Sequence, residues 1–447
     1  MKKIFLLIIF LFFLSIAFFI TILSTIGVET SKFNDLISTK LNENNDKVKI
    51  ELSTIKFKFD IKELSLFLET NNPLLNYRGV DIPSKSLKVY INIASFTKSD
   101  VNIEKINLKL DQLDLKELKN LSYIFKPSNL TSFFNNKINQ GKLNTEIEIY
   151  FNKENNFENY IARGTVKDLE AEIFEGYLLK KTNFSFFADK TDILIKNIFS
   201  ESKIFEISNG DLRFILSPEI SMQTNFKTNL KFNKDLINDI NFLKKNNFLK
   251  DLTTFEAELS NSISINFDKT YKVKKYNYKS NGVVSNATLN LARPIQNNFF
   301  DNEINQISFS NSKINTKFDL KKKELNFAGT YSFDLKNYQK FNLDYDVKGN
   351  LEKYKLNFDF DKKLNFNLIN YQKPKGVISN INLNLDKKNN YFKINKLDYK
   401  EKNNFITIED LQFKKEKFLF LKKVAVKTFA EGKKNNDFLI SFGKKIS

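Results

Sequence analysis

NFAGTYSFDLKNYQKFNLDYDVKGNLEKYKLNFDFDKKLNFNL, residues 326–368, alternates along its length. Phe327, Gly329, Tyr331, Phe333 and Leu335 occupy every second position. Phe341, Leu343, Tyr345 and Val347 do the same, then Tyr354, Leu356, Phe358 and Phe360, then Leu364, Phe366 and Leu368. The residues between them are mostly Asn, Asp, Ser, Thr and Lys. Successive side chains of a strand point to opposite faces, so this spacing predicts four neighbouring strands with one apolar face and one wet face. What covers the apolar face decides both fold and function.

The same period extends outward in both directions. Towards the N-terminus it begins at Val48, Ile50 and Leu52 and continues through Ile55, Phe57, Phe59 and Ile61; towards the C-terminus it runs to Phe438–Phe442. Ala162–Val166 and Ala171–Phe174 read as separate strands, as do Val273–Tyr278 and Val283–Leu291. Short polar connections predict antiparallel neighbours joined by hairpins. Gly stands at only a few candidate turns (Gly282, Gly329, Gly349), which leaves hairpin register weakly specified by turn chemistry. Two stretches break the period and predict helices, residues 113–139 and residues 235–252; in the second, Leu236, Ile240, Leu243, Phe248 and Leu252 share a face.

At the N-terminus, Met1-Lys2-Lys3 precedes an uncharged run from Ile4 to Ile26. As a helix rising about 1.5 Å per residue it reaches roughly 34 Å, enough for a hydrocarbon core of about 30 Å. A cleaved signal peptide has a shorter apolar core and a small-x-small site, and this run has neither. It therefore reads as an uncleaved anchor carrying Ile4, Leu7, Phe10, Leu14, Phe18, Ile22 and Ile26. Lys2 and Lys3 assign its start to the cytoplasm, so the bulk of the chain lies across the membrane, in the periplasm of a two-membrane bacterium. Phe33, Leu36, Ile37 and Leu41 fall at helical spacing just beyond, predicting a short amphipathic helix beside the membrane.

Composition narrows the chemistry. The 447 residues include 47 Phe but no Cys, His or Trp, a skew typical of A+T-rich coding. Without Cys or His there is no thiol nucleophile, imidazole base, Ser-His-Asp triad or Cys- or His-ligated metal. No Gly-rich phosphate loop occurs, and the carboxylates alternate with Lys and Asn as on a solvated face. The chain does not read as an enzyme, and no catalytic residue, metal ligand or cofactor is expected. The net charge of +19 sits mainly on polar faces and turns. Aromatics alternate with Asn and Asp as often as with Lys, so nucleic acid is not an expected partner.

Three coverings of the apolar face compete. A second sheet would close a sandwich or barrel. Helices would cover it, but beyond Leu252 no helix of useful length is apparent. Alternatively the sheet twists into an open half-pipe whose occupant is itself apolar. For an anchored chain that occupant is lipid acyl tail, held at about 0.8 kcal/mol per buried CH₂ without directional bonds.

The order of elements resembles the N-terminal part of the AsmA-like family, the bacterial group that includes TamB and YhdP. The resemblance rests on the anchor Ile4–Ile26, the segment SKFNDLISTKLNE, the series VKIELSTIKFKFDIKELSLFLET, NPLLNYRGVDIP and SLKVYINIASF, and then INQGKLNTEIEIYFN, NYIARGTVKDLEAEIFEGYLLKKTNFSFFADKTDILIKNI and ISNGDLRFIL, with Gly141, Gly164, Gly176 and Gly210. It covers most of residues 1–216. It implies an inner-membrane anchor, a chorein-like cap, an elongated periplasmic β body with a hydrophobic groove, and a role in moving phospholipid toward the outer membrane. A full bridge of this kind is usually longer than 447 residues.

The expectation is a mainly β chain: a transmembrane helix (1–27), a chorein-like cap (28–140), a β-rich groove segment ending in a helical stretch (141–252) and a meander continuing the groove (253–447). The groove lining is assigned to Phe327, Tyr331, Phe333, Phe341, Leu343, Tyr345, Tyr354, Leu356, Phe358, Phe366, Leu383 and Leu385. Expected partners are phospholipid acyl chains, the inner membrane and outer-membrane proteins. The alternative is an anchored assembly scaffold with a closed sandwich and no lipid cargo.

Overall fold

The computed structural model describes residues 2–30, 48–51, 54–77, 79–91, 102–115, 132, 135–154, 156–174, 177–239, 251–296, 299, 303–430 and 432–443. Helix α1 (Lys2–Thr25) carries no charge beyond Lys3 and exposes Phe5, Phe10, Phe13 and Phe18, as a helix surrounded by lipid would. It stops at Gly27, whose N–H donates to the Ile22 carbonyl at 3.0 Å. The φ of +74° there suits glycine, and a Cβ would stand 2.9 Å from the Phe57 carbonyl oxygen. The chain passes directly into the sheet, because Val28 is already paired with Phe57. The amphipathic helix expected around Phe33 and Leu41 lies outside the described residues.

Eight short strands form the N-terminal section: β1 (Val28–Thr30), β2 (Val48–Glu51), β3 (Ile55–Asp60), β4 (Ser65–Asn71), β5 (Leu74–Tyr77), β6 (Val80–Ile91), β7 (Ile103–Leu110) and β8 (Leu113–Asp114). β4 and β5 run along β6 in a single register, bent at Asn72-Pro73. Ile55, Leu68, Leu87, Val89, Ile91 and Ile106 make its core.

From there the chain is a meander: β9 (Ile138–Phe151), β10 (Phe157–Phe174), β11 (Tyr177–Asp189), β12 (Asp192–Glu201), β13 (Phe205–Ile215), β14 (Ser221–Asn233), β15 (Leu252–Phe267), β16 (Val273–Ile295), β17 (Ile304–Asp319), β18 (Lys322–Ser332), β19 (Gln339–Lys348) and β20 (Leu351–Phe360). After a separate hairpin, β21 (Leu364–Phe366) and β22 (Tyr371–Lys373), it resumes with β23 (Ser379–Lys388), β24 (Tyr391–Glu401), β25 (Asn404–Lys414), β26 (Lys417–Ala430) and β27 (Lys433–Ser441). Each strand pairs antiparallel with the next, and β20 pairs directly with β23. β9 pairs with both β7 and β10, so the hydrogen-bonded sheet runs without interruption from the N-terminal section into the meander. The result is one long antiparallel sheet that does not close on itself. At about 4.8 Å per strand its curved path from β1 to β27 is about 100 Å.

The structure revises several local expectations. Residues 162–174 belong to one strand, β10, because bulges absorb the change of phase: Asp168 adopts φ +51° and its N–H donates to Asn183 Oδ1 at 3.0 Å. β16 is likewise continuous, and Gly282 lies inside it rather than in a turn. A Cβ there would sit 2.0 Å from the Glu258 carbonyl oxygen, so glycine permits the close approach of β15. Gly329 is also mid-strand, against Ser312. Of these three, only Gly349 is in a turn, with φ +59°. Turn chemistry is nevertheless well specified, through side chains. Asp189, Asp268 and Asp319 each accept two backbone N–H groups of their own turns on Oδ1. Of the two expected helices, α2 (Lys234–Asp239) starts the second, and Leu252 is already strand; Leu113 and Asp114 are strand as well.

The two rims of the sheet differ. A meander turns alternately at its two edges, and here one rim receives the tight connections 190–191, 216–220, 268–272, 320–321, 349–350, 389–390 and 415–416. Within the meander the long connections 234–251, 296–303 and 361–378 fall on the other, as does the segment 111–137 that leads into it and contains β8; in the N-terminal section the connection 92–102 falls on the first. The first is called the short-turn rim below, the second the insertion rim.

Candidate functional site

Cross-strand pairing places the predicted lining on one face. Phe327 lies opposite Leu343, Leu343 opposite Leu356, Leu356 opposite Leu383 and Leu383 opposite Leu397. One row nearer the insertion rim, Phe341 faces Phe358, which faces Ile381. One row nearer the short-turn rim, Tyr345 faces Tyr354, which faces Leu385, and the two tyrosine rings lie 4.8 Å apart. Tyr331 and Phe333 complete the set, 5.2 Å apart, with Tyr331 donating its hydroxyl to the Asp359 carbonyl at 2.7 Å. Aromatic contacts weld the lining into a continuous surface: Phe309 to Phe327 at 5.2 Å, Phe327 to Phe341 at 4.9 Å, Tyr331 to Phe358 at 6.2 Å. Tyr331 and Phe341 are buried; Phe327, Leu343, Tyr345, Tyr354, Leu356, Phe358, Leu383 and Leu385 stay partly accessible. Among the described residues the one further sheet is the two-stranded β21–β22 hairpin, and it does not lie over β17–β19.

Phe366 is placed differently. The stretch 364–368 is not a fourth meander strand. It forms one arm of the β21–β22 hairpin, broken by a 3-10 turn at Asn367–Ile369 with Asn370 left-handed. Leu368, on the expected oily face, is fully exposed. The hairpin lies along the insertion rim and covers the end of the gutter over β24–β27. Phe366 packs on Tyr399 at 5.1 Å, Asn436 Nδ2 donates to the Ile369 carbonyl at 2.7 Å, and Asn435 Nδ2 to the Asn370 carbonyl at 2.9 Å. Two of its polar groups are buried, one bonded to the long sheet and one within the insertion itself. Tyr371 donates to Glu401 Oε2 at 2.6 Å, and burial together with that carboxylate pushes its phenol far above the usual range. Lys373, wholly buried, donates to the Pro374 and Val377 carbonyls, and burial lowers its ammonium below the usual lysine value.

Periodicity alone missed some of the lining. Phe309 and Ile314 share the face although their spacing is odd, because a left-handed Asn311 shifts the phase of β17 between them. The alternation in Ile304–Asp319 was the available signal; the bulge concealed it. The β21–β22 cover left no signal, since its residues alternate like those of a meander strand.

Among the described residues no group of three His, Cys, Asp or Glu side chains is placed to hold a metal ion. What the fold and face define is a class: an open, single-sheet β protein following one helix long and apolar enough to span a membrane. No protein-family model, curated protein or solved structure matches this chain.

Proposed function

We propose that this chain is an inner-membrane-anchored periplasmic protein of the AsmA-like kind. Its gutter holds lipid acyl chains and takes part in moving phospholipid to, or maintaining, the outer membrane. The observation that carries this reading is the apolar face itself. It is continuous across β17–β20 and β23–β25, stays partly accessible, and belongs to a sheet whose first strand adjoins α1. A face of this kind loses free energy to water unless something apolar lies on it. A lipid tail supplies about 0.8 kcal/mol per CH₂ and, lacking directional bonds, is free to slide. Phe, Leu and Ile suit the floor because they carry no polar group that needs a partner.

The test is mass spectrometry of the full-length protein, purified from the membrane and released from detergent in the instrument. Bound phospholipid supports the reading. A lipid-free chain after extraction under mild conditions rejects it and leaves an anchored scaffold for outer-membrane assembly.

A further inference from the structure

The turn between β3 and β4 shows apolar side chains to solvent at the corner where α1 enters the sheet. Ile61 is 59% exposed and Leu64 71% exposed. Leu64 also holds a left-handed backbone, φ +50°, which is disfavoured for any residue with a Cβ. The turn itself asks for neither property, since Gly or Asn takes that backbone with less strain and exposes less carbon. The polar groups around it are engaged. Asp60 Oδ1 accepts the N–H of Lys62 at 3.0 Å and of Glu63 at 3.2 Å, and Asp60 Oδ2 accepts the Tyr90 hydroxyl at 3.3 Å. Glu63 takes Lys105 Nζ at 2.6 Å, and that ammonium lies 4.3 Å from the centre of the Tyr90 ring. The turn is therefore held in one shape, with Ile61, Lys62 and Leu64 exposed.

Strand pairing brings this turn to the end of the anchor. β1 and β3 are antiparallel, so the chain before Val28 runs beside the chain after Phe57. A Cβ on Gly27 would stand 2.7 Å from Lys58 Cγ, α1 lies against β3, and Leu23 in its last turn is the one buried residue among its described side chains. Asp60 follows Phe57 by three residues, about 10 Å along the strand. The same corner carries Ile26, also exposed, and Val28. The length of α1 brings Ile26 to the end of a hydrocarbon core, and the headgroup layer beyond it is roughly 5–8 Å deep. We propose that the 61–64 turn is a second membrane contact: Ile61 and Leu64 enter the lipid interface beside α1, and Lys62 reaches the phosphates. With Glu63 neutralised by Lys105, the tip offers one lysine between two apolar side chains, a composition that fits the boundary between tails and headgroups. The proposal rests on the anchoring half of the reading above and not on lipid cargo. A spanning helix and an interfacial turn together fix how the first strands stand on the bilayer.

The chain has no cysteine, so a single-cysteine variant carries one probe. Full-length Ile61→Cys and Leu64→Cys are labelled with an NBD fluorophore, and Lys203→Cys, exposed between β12 and β13, serves as the reference in water. Each is reconstituted in liposomes of phosphatidylethanolamine and phosphatidylglycerol, with and without bromine on the acyl chains. Emission at 61 and 64 is expected to lie to the blue of the Lys203 reference and to be quenched by the brominated lipid. Unquenched emission like the reference at both positions overturns the proposal. A blue shift without quenching places protein over the turn, either a segment of this chain or a second copy, and overturns the bilayer as its partner. Alkaline extraction of the same liposomes separates the two readings. A chain that stays in the pellet with a water-like turn loses the second contact alone, whereas a chain that is released loses the anchor and the contact with it. In a second arm, Leu64→Gly is added to Ile61→Cys. Glycine relieves the left-handed backbone, so strand content by circular dichroism should hold while quenching at 61 weakens. Unchanged quenching overturns the part assigned to Leu64.

Discussion

Tyr371 donates its hydroxyl to Glu401 Oε2 at 2.6 Å, and Asn404 Nδ2 donates to the same oxygen. A residue of the covering hairpin is thereby tied to the end of β24, across the face that the alternating sequence makes apolar. Both partners are buried, so the bond joins groups that water cannot reach. Tyr371→Phe removes the donor and leaves the carboxylate with Asn404. The expected cost is about 1–3 kcal/mol, the penalty of under-satisfying a buried acceptor. Urea unfolding measures it, and amide exchange should accelerate in residues 364–373 while β9–β14 stay protected. Unchanged exchange in the hairpin would show that the tie does not hold the cover in place.

Leu343 and Leu356 face each other in the middle of the gutter floor, partly accessible. Replacing either by Glu puts a charge where a tail would lie, yet leaves the carboxylate near water. Strand content by circular dichroism should stay close to the parent, while co-purifying phospholipid falls to background. Full lipid loading in both variants would mean that these positions do not line the binding surface.

Gly282 and Gly349 separate two glycine roles. At Gly349 a Cβ meets open space and only φ +59° is strained, so Gly349→Ala should cost about 1 kcal/mol. At Gly282 the Cβ would press into the Glu258 carbonyl, so Gly282→Ala must push β15 and β16 apart and should cost ~3 kcal/mol or more. Thermal melts of the pair check the ranking, and equal shifts would contradict the close approach of these strands.

Asp268 and Asp319 are held below their usual value of 3.8, Asp268 first by the Thr270 hydroxyl and then by the Lys272 and Thr270 amides, Asp319 by the Lys321 and Lys322 amides. Depressed carboxyl groups stabilise the folded chain fully above their unfolded pKa, and that contribution is lost as pH falls through the lower folded value. Melting temperature should therefore drop on acidification below about pH 4, where unfolded carboxylates take up protons. Asp268→Asn keeps an acceptor without the charge and should show a shallower drop; an identical acid profile would indicate that this turn does not contribute.

α1 is the only helix among the described residues long and apolar enough to cross a membrane. The full chain should remain in the membrane pellet after alkaline extraction. A variant lacking residues 1–27 should be released to the supernatant, because the sheet alone offers no spanning segment of that type. Release of the full chain would contradict anchoring by α1.

Much of the fold was legible because a strand has a fixed two-residue period that tertiary context cannot change. Phe341, Leu343 and Tyr345 had to share a face, and so did Tyr354, Leu356 and Phe358; pairing then joined the two sets in register. Bulges were not legible. Asp168 and Asn311 shift the phase by one residue through a left-handed backbone, and nothing in the hydropathy of Ala162–Val166 or Phe309–Ile314 distinguishes such a shift from a strand end. Asp and Asn at the turns carried more information than their glycine content suggested, because a side-chain acceptor can fix a turn as well as a left-handed glycine can.

The sequence by itself determined an apolar helix, a succession of antiparallel strands and one oily face, since these depend only on local spacing and composition. Tertiary structure alone decided that the face stays open over most of its length, that residues 364–373 fold across it instead of joining it, and that its two rims differ. Those outcomes depend on which backbone edges find partners far away in the chain: β20 takes β23 as its neighbour and leaves the intervening hairpin to bury Tyr371, Lys373 and Glu401 together. Period-2 alternation is identical in a strand that joins a sheet and in one that lies upon it.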